Sequence, residues 1–385
     1  MRIIVSLVVA LSIALPLVAD EPARARDLGI PFDGTPGPWN AITDVPGVTV
    51  GHTTLIEDLP DGRAVRTGVT AILPRGLDTL MRPVFAAWFP LNGNGEMTGT
   101  TWIEESGQLE GPVMLTNTHS VGVVRDATIA WRIHKAGPDA SGYYWSLPVV
   151  AETWDGDLND INGFHVTPEH VDAALDGASS GPVAEGNVGG GTGMQCFDFK
   201  CGIGTSSRVV EVLGTPYTLG VLVQANFGSG RREELRIAGV PVGRLLSGNR
   251  ISRETGPKSG DDGSIIIVVA TNAPLLPFQL KRIARRAALG LARTGSVADN
   301  GSGDIFVAFS TADESLGRND RLLSHHSIPN DELGPLFAAT VRATEEAIIN
   351  AMVAARDMTG DQGHAAKAIP HDALTEIMAS HGHGP

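Results

Sequence analysis

A series of short apolar runs constrains the fold of this chain more than any other feature of its sequence. Each run is rich in Val, Ile, Leu or Thr and is bounded by turn-forming residues, which is typical of buried β-strands. The runs cover residues 47–55, 68–74, 111–118, 217–227, 264–271 and 303–311. The sequence therefore predicts a core built on β-sheets.

Two later segments show helical periodicity instead. Pro277 suits the first turn of a helix, and apolar residues then return at three- and four-residue spacing up to Gly295. A second helix is predicted over residues 331–356. Its apolar side consists of Leu333, Phe337, Val341, Ile348 and Met352. Layered α/β folds can hold all 385 residues around one core, so we expect a single sheet-and-helix sandwich.

The charge balance restricts the partners of the protein. The chain carries 29 Lys and Arg residues against 43 Asp and Glu residues, a formal net charge of −14. Because phosphate binding needs clustered cations, this balance argues against nucleic acid and anionic membranes. We expect a small molecule or a peptide as the partner.

The N-terminus has the layout of a secretory signal peptide. Arg2 precedes an apolar run that Pro16 interrupts, and Ala19 precedes the acidic Asp20. We expect a signal peptide over residues 1–19, cleavage after Ala19, and a periplasmic or secreted protein with no membrane contact afterwards. An uncleaved membrane anchor is the alternative, although the run is short for a membrane span and contains a proline.

The two cysteines, Cys196 and Cys201, leave two possibilities open. In an exported protein they could form a small disulfide loop, or one thiol could be buried and the other exposed. No histidine pair lies near them, so a zinc site is not expected. His325 and His326 also lack carboxylate partners at ligand spacing, and we expect no metal ion.

The segment GDDGSIIIVVAT, residues 260–271, joins an acidic turn directly to an apolar run at Gly263 and Ser264. One interpretation is a turn that leads into a buried strand. The other is a self-cleavage site that makes Ser264 a new N-terminus. Its hydroxyl would then be the nucleophile, and its α-amine, with a pKa of about 7.7 to 8.0, would be the base. The polar, Gly-rich residues 246–263 form a linker in which a break disturbs little.

Four other polar residues are candidates for the site: Asn226, Ser302 and Asp304 lie at or near the ends of predicted strands, and Glu152 follows the apolar stretch SLPVVA. Taken one at a time, such residues are typical of turns, caps and solvated strand ends. Their local sequence alone does not assign them to a site.

A series of longer blocks adds information that no single residue carries. In order along the chain they are RARDLGIPFDGTPGPWNAITDVPGVTVGHTTL, LNGNGEMTG, SLPVVAETWDG, GNVGGGTGM, GVLVQANFG, GSIIIVVATNAPLLPFQLKRIARRAALGLARTGS, NGSGDIFVAFST and EEAIINAM. In this order they resemble the L-aminopeptidase/D-esterase family of the DmpA type, which includes the β-peptidyl aminopeptidases. The resemblance covers nearly the whole mature chain.

The resemblance implies an α/β fold, a four-layer αββα sandwich, made as one precursor. The precursor would cleave itself between Gly263 and Ser264 into an α chain, residues 20–263, and a β chain, residues 264–385. Ser264 would be the nucleophile of this cleavage and, as the new N-terminus, of catalysis. The cleaved pairs would assemble as a homotetramer, and neither a metal nor an organic cofactor would be needed.

The resemblance also implies roles for the other polar residues. Asn226 would match the oxyanion-hole asparagine of the family. Ser302 and Asp304 would match the pair that positions the free amine and tunes its basicity. Glu152 would match the acid that binds the ammonium group of the substrate, and Trp154 would lie in the same substrate-binding region.

Some positions depart from the family pattern. Trp154 stands where a tyrosine is expected, and Asn272 and Phe278 stand where aspartate and histidine are more usual. Cys201 stands where glycine is more typical, which favours an added disulfide. Trp154 bears on which substrate is preferred, whereas the changes at Asn272 and Phe278 can be without effect.

The sequence therefore predicts an exported N-terminal-nucleophile hydrolase that acts through an acyl-enzyme on Ser264. Its substrates would be short peptides, amides or esters with a small N-terminal residue, including D-Ala or β-amino acyl groups. An aminoacyl transferase on the same scaffold is one alternative. A periplasmic binding protein that has lost its activity is another, for which Trp154, Asn272 and Phe278 are the relevant features.

Overall fold

The computed structural model describes residues 23–78, 82–136, 145–246, 262–318 and 320–384. The predicted signal peptide, residues 1–19, and residues 247–261 of the predicted linker lie outside these ranges. The site of predicted cleavage, Gly263 and Ser264, lies inside them.

Two larger β-sheets form the centre of the molecule. The strands are β1 Thr49–Asp58, β2 Ala64–Leu77, β3 Val84–Pro90, β4 Gln108–Leu109, β5 Val113–Asn117, β6 Val149–Thr153, β7 Gln195–Cys196, β8 Phe199–Lys200, β9 Ile203–Val212, β10 Thr215–Asn226, β11 Asp262–Thr271, β12 Gly301–Ser310, β13 Met358–Thr359 and β14 Ala365–Ala366. One sheet has four strands in the order β1-β2-β5-β6, and the other has six in the order β4-β3-β12-β11-β10-β9. The remaining strands form two short hairpins, β7-β8 and β13-β14.

Helices cover the outer faces of both sheets. They are α1 Thr100–Ser106, α2 Val121–Ala136, α3 Pro168–Asp176, α4 Val242–Leu245, α5 Pro277–Arg293, α6 Gly334–Val353 and α7 His371–Ser380. Apolar residues of α5 and α6 pack on the six-stranded sheet, and those of α2 and α3 pack on the four-stranded sheet. A third apolar cluster fills the space between the sheets. The order of layers is helix, sheet, sheet, helix, which confirms the predicted αββα sandwich.

Strand β11 shows why its sequence is apolar without interruption. Ile265 and Ile267 belong to the apolar cluster beneath the helices, whereas Ile266 and Val268 belong to the cluster between the sheets. Successive side chains of a strand point to opposite faces, so a strand covered on both sides needs apolar residues at every position. Each such side chain contributes roughly 1.5–3 kcal/mol to folding.

The second long helix differs from its prediction. It begins at Gly334 and ends at Val353, and its last eleven residues are all buried. Helix α6 contacts β9 and β10 on one side and α5 on another, so a single apolar stripe does not describe it. The predicted apolar residue Val341 is only partly buried. The periodicity therefore located this helix, and its packing on two neighbours determined which faces are buried.

Within the described ranges, no helix has both the length and the apolar character that crossing a bilayer requires.

Candidate active site

The predicted cleavage site lies within a strand of the six-stranded sheet. Strand β11 begins at Asp262, before the joint, and pairs with two neighbours there. Ser264 lies opposite Asn226 of the antiparallel β10 and beside Gly303 of the parallel β12. Gly263 is thus part of the sheet, and residues 260–261, on which the predicted turn would fall, lie outside the described ranges. The division into chains 20–263 and 264–385 stays a prediction.

The hydroxyl of Ser264 lies against its own upstream peptide group. Its Oγ donates a hydrogen bond to the carbonyl oxygen of Gly263 at 2.7 Å and accepts one from the N–H of Gly303 at 3.2 Å. The side chain is only 4% exposed. A buried nucleophile held beside one carbonyl group by a rigid strand is close to the geometry that attack on that carbonyl needs.

Gly263 is required for a packing reason. A Cβ at this position would lie 2.7 Å from Cα of Phe227 and 2.8 Å from the carbonyl oxygen of Asn226. Both atoms belong to the backbone of the neighbouring chain segment, so neither can move aside alone. The glycine therefore permits the close approach of the two segments at the joint.

We expect Gly263→Ala to lower the free energy of unfolding by about 2 kcal/mol, because the added methyl group forces two backbones apart. Self-cleavage should also slow. The stability is best measured by urea unfolding in a Ser264→Ala background, where no chain is cut. Gly334→Ala is the matched control, since a Cβ there meets no atom within 4 Å. Equal stabilities of the two variants would contradict the packing argument.

Asn226 lies opposite the nucleophile with its amide group bonded at both ends. Its Oδ1 accepts a hydrogen bond from the N–H of Gln195 at 2.9 Å, and its Nδ2 donates one to the carbonyl oxygen of Trp154 at 2.8 Å. Directly opposite residues of an antiparallel pair share one face of the sheet. The structure therefore brings Asn226 and Ser264 together on the face between the sheets.

Ser302 and Asp304 lie in β12 on either side of Gly303. The Oγ of Ser302 donates to Oδ1 of Asp304 at 2.6 Å. By strand alternation these two side chains point to the helix-covered face, the opposite face from Ser264 Oγ. In register they pair with Gly263 and Ile265, so they flank the backbone of the nucleophile and not its hydroxyl.

The Asp304 carboxyl group is fully buried. Burial raises its pKa to about 6, although the hydrogen bond from Ser302 opposes this shift. Its Oδ2 has no hydrogen-bond partner in the part of the chain that the structure describes. A buried carboxylate oxygen without a partner is costly, and a cationic amine nearby would satisfy it.

The loop that follows β3 forms one wall of the site, and sequence reasoning assigned no residue of this loop to it. Oδ1 of Asn92 accepts a hydrogen bond from the N–H of Asp304 at 2.6 Å, and Nδ2 of Asn94 donates to the carbonyl oxygen of Gly301 at 2.7 Å. Gly95 packs against Gly303, since a Cβ on it would lie 3.0 Å from Cα of Gly303. The repeated Asn-Gly pairs in LNGNGEMTG were the available signal.

Glu152, in β6 of the other sheet, lies near Gly95 and Gly303. Its Oε1 accepts a hydrogen bond from the N–H of Glu96 at 2.9 Å, and its Oε2 accepts one from Thr118 Oγ1. Burial raises the pKa of Glu152, and these two hydrogen bonds counteract the shift. A Cβ on the loop residue Gly95 would lie 3.2 Å from Oε1 of Glu152 as well as 3.0 Å from Cα of Gly303, so this acid lies close to the strand residue beside the nucleophile.

Trp154 takes part through its backbone as well as its ring. Its carbonyl oxygen is the acceptor for Asn226, and its indole lies over Gly156, where a Cβ would come within 2.6 Å of the ring.

Asn272 lies at the far end of β11, where its N–H and its Oδ1 form hydrogen bonds with the backbone of Thr218. That end is roughly 26 Å from Ser264 at about 3.3 Å per residue. Asn272 and Phe278, the second residue of α5, thus lie far from the nucleophile.

The two cysteines form a disulfide, which settles the alternative that their spacing left open. Cys196 ends β7 and Cys201 directly follows β8, so the bond closes the β7-β8 hairpin, whose first residue is Gln195. Within the described ranges, no group of three or more His, Cys, Asp or Glu residues could hold a metal ion.

A buried carboxyl group beneath the site predicts a pH dependence. Burial raises the pKa of Asp155 to about 6, against hydrogen bonds from residues that include Asn159. Because the folded-state pKa lies above the unfolded one, this group contributes stability below about pH 4 that is lost as the pH rises through about 6. We expect it to account for about 3 kcal/mol of that loss.

Asp155→Asn should therefore flatten the dependence of stability on pH. Urea unfolding of uncut Ser264→Ala protein between about pH 4.5 and 7.5, with and without the second substitution, measures the difference. Identical slopes in the two proteins would show that Asp155 ionises in the folded state as it does in the unfolded state.

Comparison with known proteins agrees with this geometry. The model of peptidase family S58 matches residues 40–366. The chain is 55% identical over 374 residues to beta-peptidyl aminopeptidase BapA of Sphingosinicella microcystinivorans, covering 93% of this chain and 92% of the relative. It is 49% identical over 392 residues to the protein of the same name from Sphingosinicella xenopeptidilytica, covering 98% and 94%.

A solved structure is similar over nearly the whole described chain. It is the L-aminopeptidase D-Ala-esterase/amidase from Ochrobactrum anthropi, described as a prototype of the serine aminopeptidases and a variant of the Ntn-hydrolase fold. The TM-score is 0.87 and the identity 48%, over 94% of this chain and 99% of the other.

Proposed function

The chain belongs to peptidase family S58, and from this membership and the geometry of the site we propose how the site works and on what it acts. The protein is a serine aminopeptidase of the N-terminal-nucleophile type, in agreement with its relatives and its fold. The observation that carries the proposed mechanism is the hydrogen bond from the Ser264 hydroxyl to the carbonyl oxygen of Gly263. Asn226 lies opposite Ser264 in the sheet, and Glu152 lies nearby.

Self-cleavage is the first step of the proposal. Ser264 Oγ attacks the carbonyl carbon of Gly263, and its proton passes to the departing nitrogen of the same residue. The resulting ester is hydrolysed by water, which leaves Gly263 with a carboxylate and Ser264 with a free amine. The new ammonium group would lie beside Asp304, whose unpartnered buried oxygen it would satisfy.

Substrate turnover follows the same chemistry with a different base. The free α-amine of Ser264 takes the hydroxyl proton as Oγ attacks the carbonyl carbon of the substrate. Asn226 donates a hydrogen bond to the oxyanion, the leaving amine departs with a proton, and water releases the acyl group. Glu152 binds the ammonium group of the substrate through a charge-assisted hydrogen bond, which restricts cleavage to the N-terminal residue.

We propose β-amino acyl peptides and amides as preferred substrates. Both Sphingosinicella relatives are described as beta-peptidyl aminopeptidases, and the chain carries Trp154 where the aminopeptidase/esterase members are expected to have tyrosine. A panel of p-nitroanilides of β-alanine, D-alanine and L-alanine, compared by kcat/KM, tests the preference. A higher value for either α-amino acyl substrate would overturn it. Added amines that capture the acyl group in place of water would reveal the transferase activity.

Export and assembly complete the proposal. The signal-like residues 1–19 and the disulfide, a bond that persists in oxidising compartments, support a periplasmic or secreted location. A mature chain that begins at Asp20 in a periplasmic fraction is the expected result, and an intact leader in the membrane fraction would support the anchor instead.

Light scattering of the purified protein tests the predicted homotetramer.

A further inference from the structure

The amide group of Asn226 can serve an oxyanion in only one of its two orientations. The Gln195 N–H must face Oδ1, and the Trp154 carbonyl oxygen must face Nδ2, so these two partners define which orientation is present. One N–H of Nδ2 is donated to Trp154, and the second remains for an oxyanion. A flipped amide would lose both bonds and would point a carbonyl oxygen at the developing negative charge.

Gln195, which defines this orientation, begins a strained hairpin. The two turn residues between β7 and β8 are Phe197, with φ of 51°, and Asp198, with φ of 60°. Two-residue hairpins of this kind favour Asn, Asp and Gly, because a bulky side chain such as that of Phe197 in the left-handed region costs on the order of 1–3 kcal/mol. The hairpin therefore needs other contacts to keep its shape.

Several covalent and polar contacts close the hairpin. The disulfide joins Cys196 to Cys201, and both residues are fully buried. The N–H of Cys201 donates to the carbonyl oxygen of Met194 at 3.0 Å. The fully buried Lys200 donates from Nζ to the carbonyl oxygens of Met194 and Cys201, at 2.7 and 2.6 Å. These contacts tie the residues on both sides of Gln195 to the far arm of the hairpin.

The hairpin is also fixed to the strand end that carries Asn226. The N–H of Phe197 donates to the carbonyl oxygen of Phe227 at 2.9 Å, and the two rings meet edge to face at 5.1 Å. A Cβ on Gly228 would lie 2.7 Å from the Phe197 ring. These contacts therefore hold the Gln195 N–H in a fixed position relative to Asn226.

We propose that the disulfide-closed hairpin, residues 194–201, is a positioning element that fixes the amide of Asn226 in the orientation able to donate to the oxyanion. This inference rests on the proposed role of Asn226. The hairpin residues do not touch the reacting atoms and act only through the Gln195 N–H. Opening the hairpin should lower kcat and leave KM nearly unchanged, because the oxyanion exists in the transition state and not in the bound substrate.

The test compares Cys196→Ala/Cys201→Ala with the wild-type protein, both exported and fully cleaved. We expect kcat per cleaved chain on β-alanine p-nitroanilide to fall about tenfold, with KM within about twofold, because loss of the whole donor costs about a hundredfold or more. Val171→Ala is the control, since Val171 is a buried residue of α3 on the four-stranded sheet, away from the hairpin. It should destabilise the protein and leave both constants unchanged.

Two more variants keep the result interpretable. Lys200→Met retains the disulfide and removes the two Nζ hydrogen bonds, and it should lower kcat several-fold. It provides the test if the double cysteine variant does not fold. Asn226→Ala tests the underlying role: if it does not lower kcat, the proposed function of Asn226 fails. If Asn226→Ala lowers kcat about a hundredfold while both hairpin variants retain wild-type kcat, only the positioning inference is overturned.

Discussion

Ser264→Ala protein is expected to remain a single uncut chain without aminopeptidase activity, whereas wild-type protein separates on denaturation into two fragments. The expected fragments are residues 20–263 and 264–385. Alanine lacks the hydroxyl that lies 2.7 Å from the Gly263 carbonyl oxygen, so neither self-cleavage nor acyl-enzyme formation has a nucleophile. The loss of activity should be at least about 10⁴-fold. Intact mass under denaturing conditions and hydrolysis of an aminoacyl anilide measure the two effects.

Ser310→Ala is the matched control for this experiment. Ser310 is also a buried serine of the six-stranded sheet, and its Oγ bonds the carbonyl oxygen of Ala273 at the other end of β12. This variant should cleave itself and turn over substrate. A wild-type chain that stays uncut over days would refute the N-terminal-nucleophile mechanism, and a cut Ser264→Ala chain would assign the cleavage to another group or to a contaminating protease.

Glu152→Gln is expected to separate substrate turnover from self-cleavage. The carboxylate binds the substrate ammonium in our proposal, and no ammonium group takes part when the precursor cuts itself. We expect kcat/KM for substrates with a free amine to fall about a hundredfold, the effect of losing one charge-assisted hydrogen bond of about 2.7 kcal/mol. The rate at which the precursor is cut should stay within about twofold of wild type.

Glu96→Gln provides the control for this second experiment. Glu96 is an exposed acid of the same loop, and its backbone N–H, which the substitution keeps, bonds Glu152. Its kcat/KM should be close to that of wild type. If Glu152→Gln instead blocked self-cleavage, the role of Glu152 would be to hold the loop at residues 91–96 and not to recognise the substrate.

Several features could be predicted from the amino-acid sequence alone, because they depend on neighbours in the chain. The apolar strand after Ser264 must be covered on both faces, and Ile265 and Ile266 do lie in different apolar clusters. The layered fold follows from such strands and from the resemblance of the ordered blocks to one family. The same resemblance identified Ser264, Asn226 and Glu152, whose roles remain to be tested.

Other features could not be predicted, because they depend on segments far apart in the chain. The Asn92–Asp304 bond joins residues more than two hundred positions apart, and no local pattern at Asn92 distinguishes it from a turn residue. The disulfide was left open for a different reason: Cys196 and Cys201 are only five residues apart, and the backbone path of the hairpin between them determines that their Cα atoms lie 5.4 Å apart.

The six apolar runs and the two periodic segments of the amino-acid sequence located six of the strands and two of the helices, and the sequence also shows which serine follows a glycine at the start of a buried strand. Which partners these residues meet depends on the tertiary structure. The amide orientation of Asn226 is the clearest case, since it depends on Gln195 from a hairpin and Trp154 from the other sheet. Local sequence patterns indicate whether a side chain is buried or exposed. Contacts between separate segments form only when those segments pack together, and the packing depends on all the segments at once.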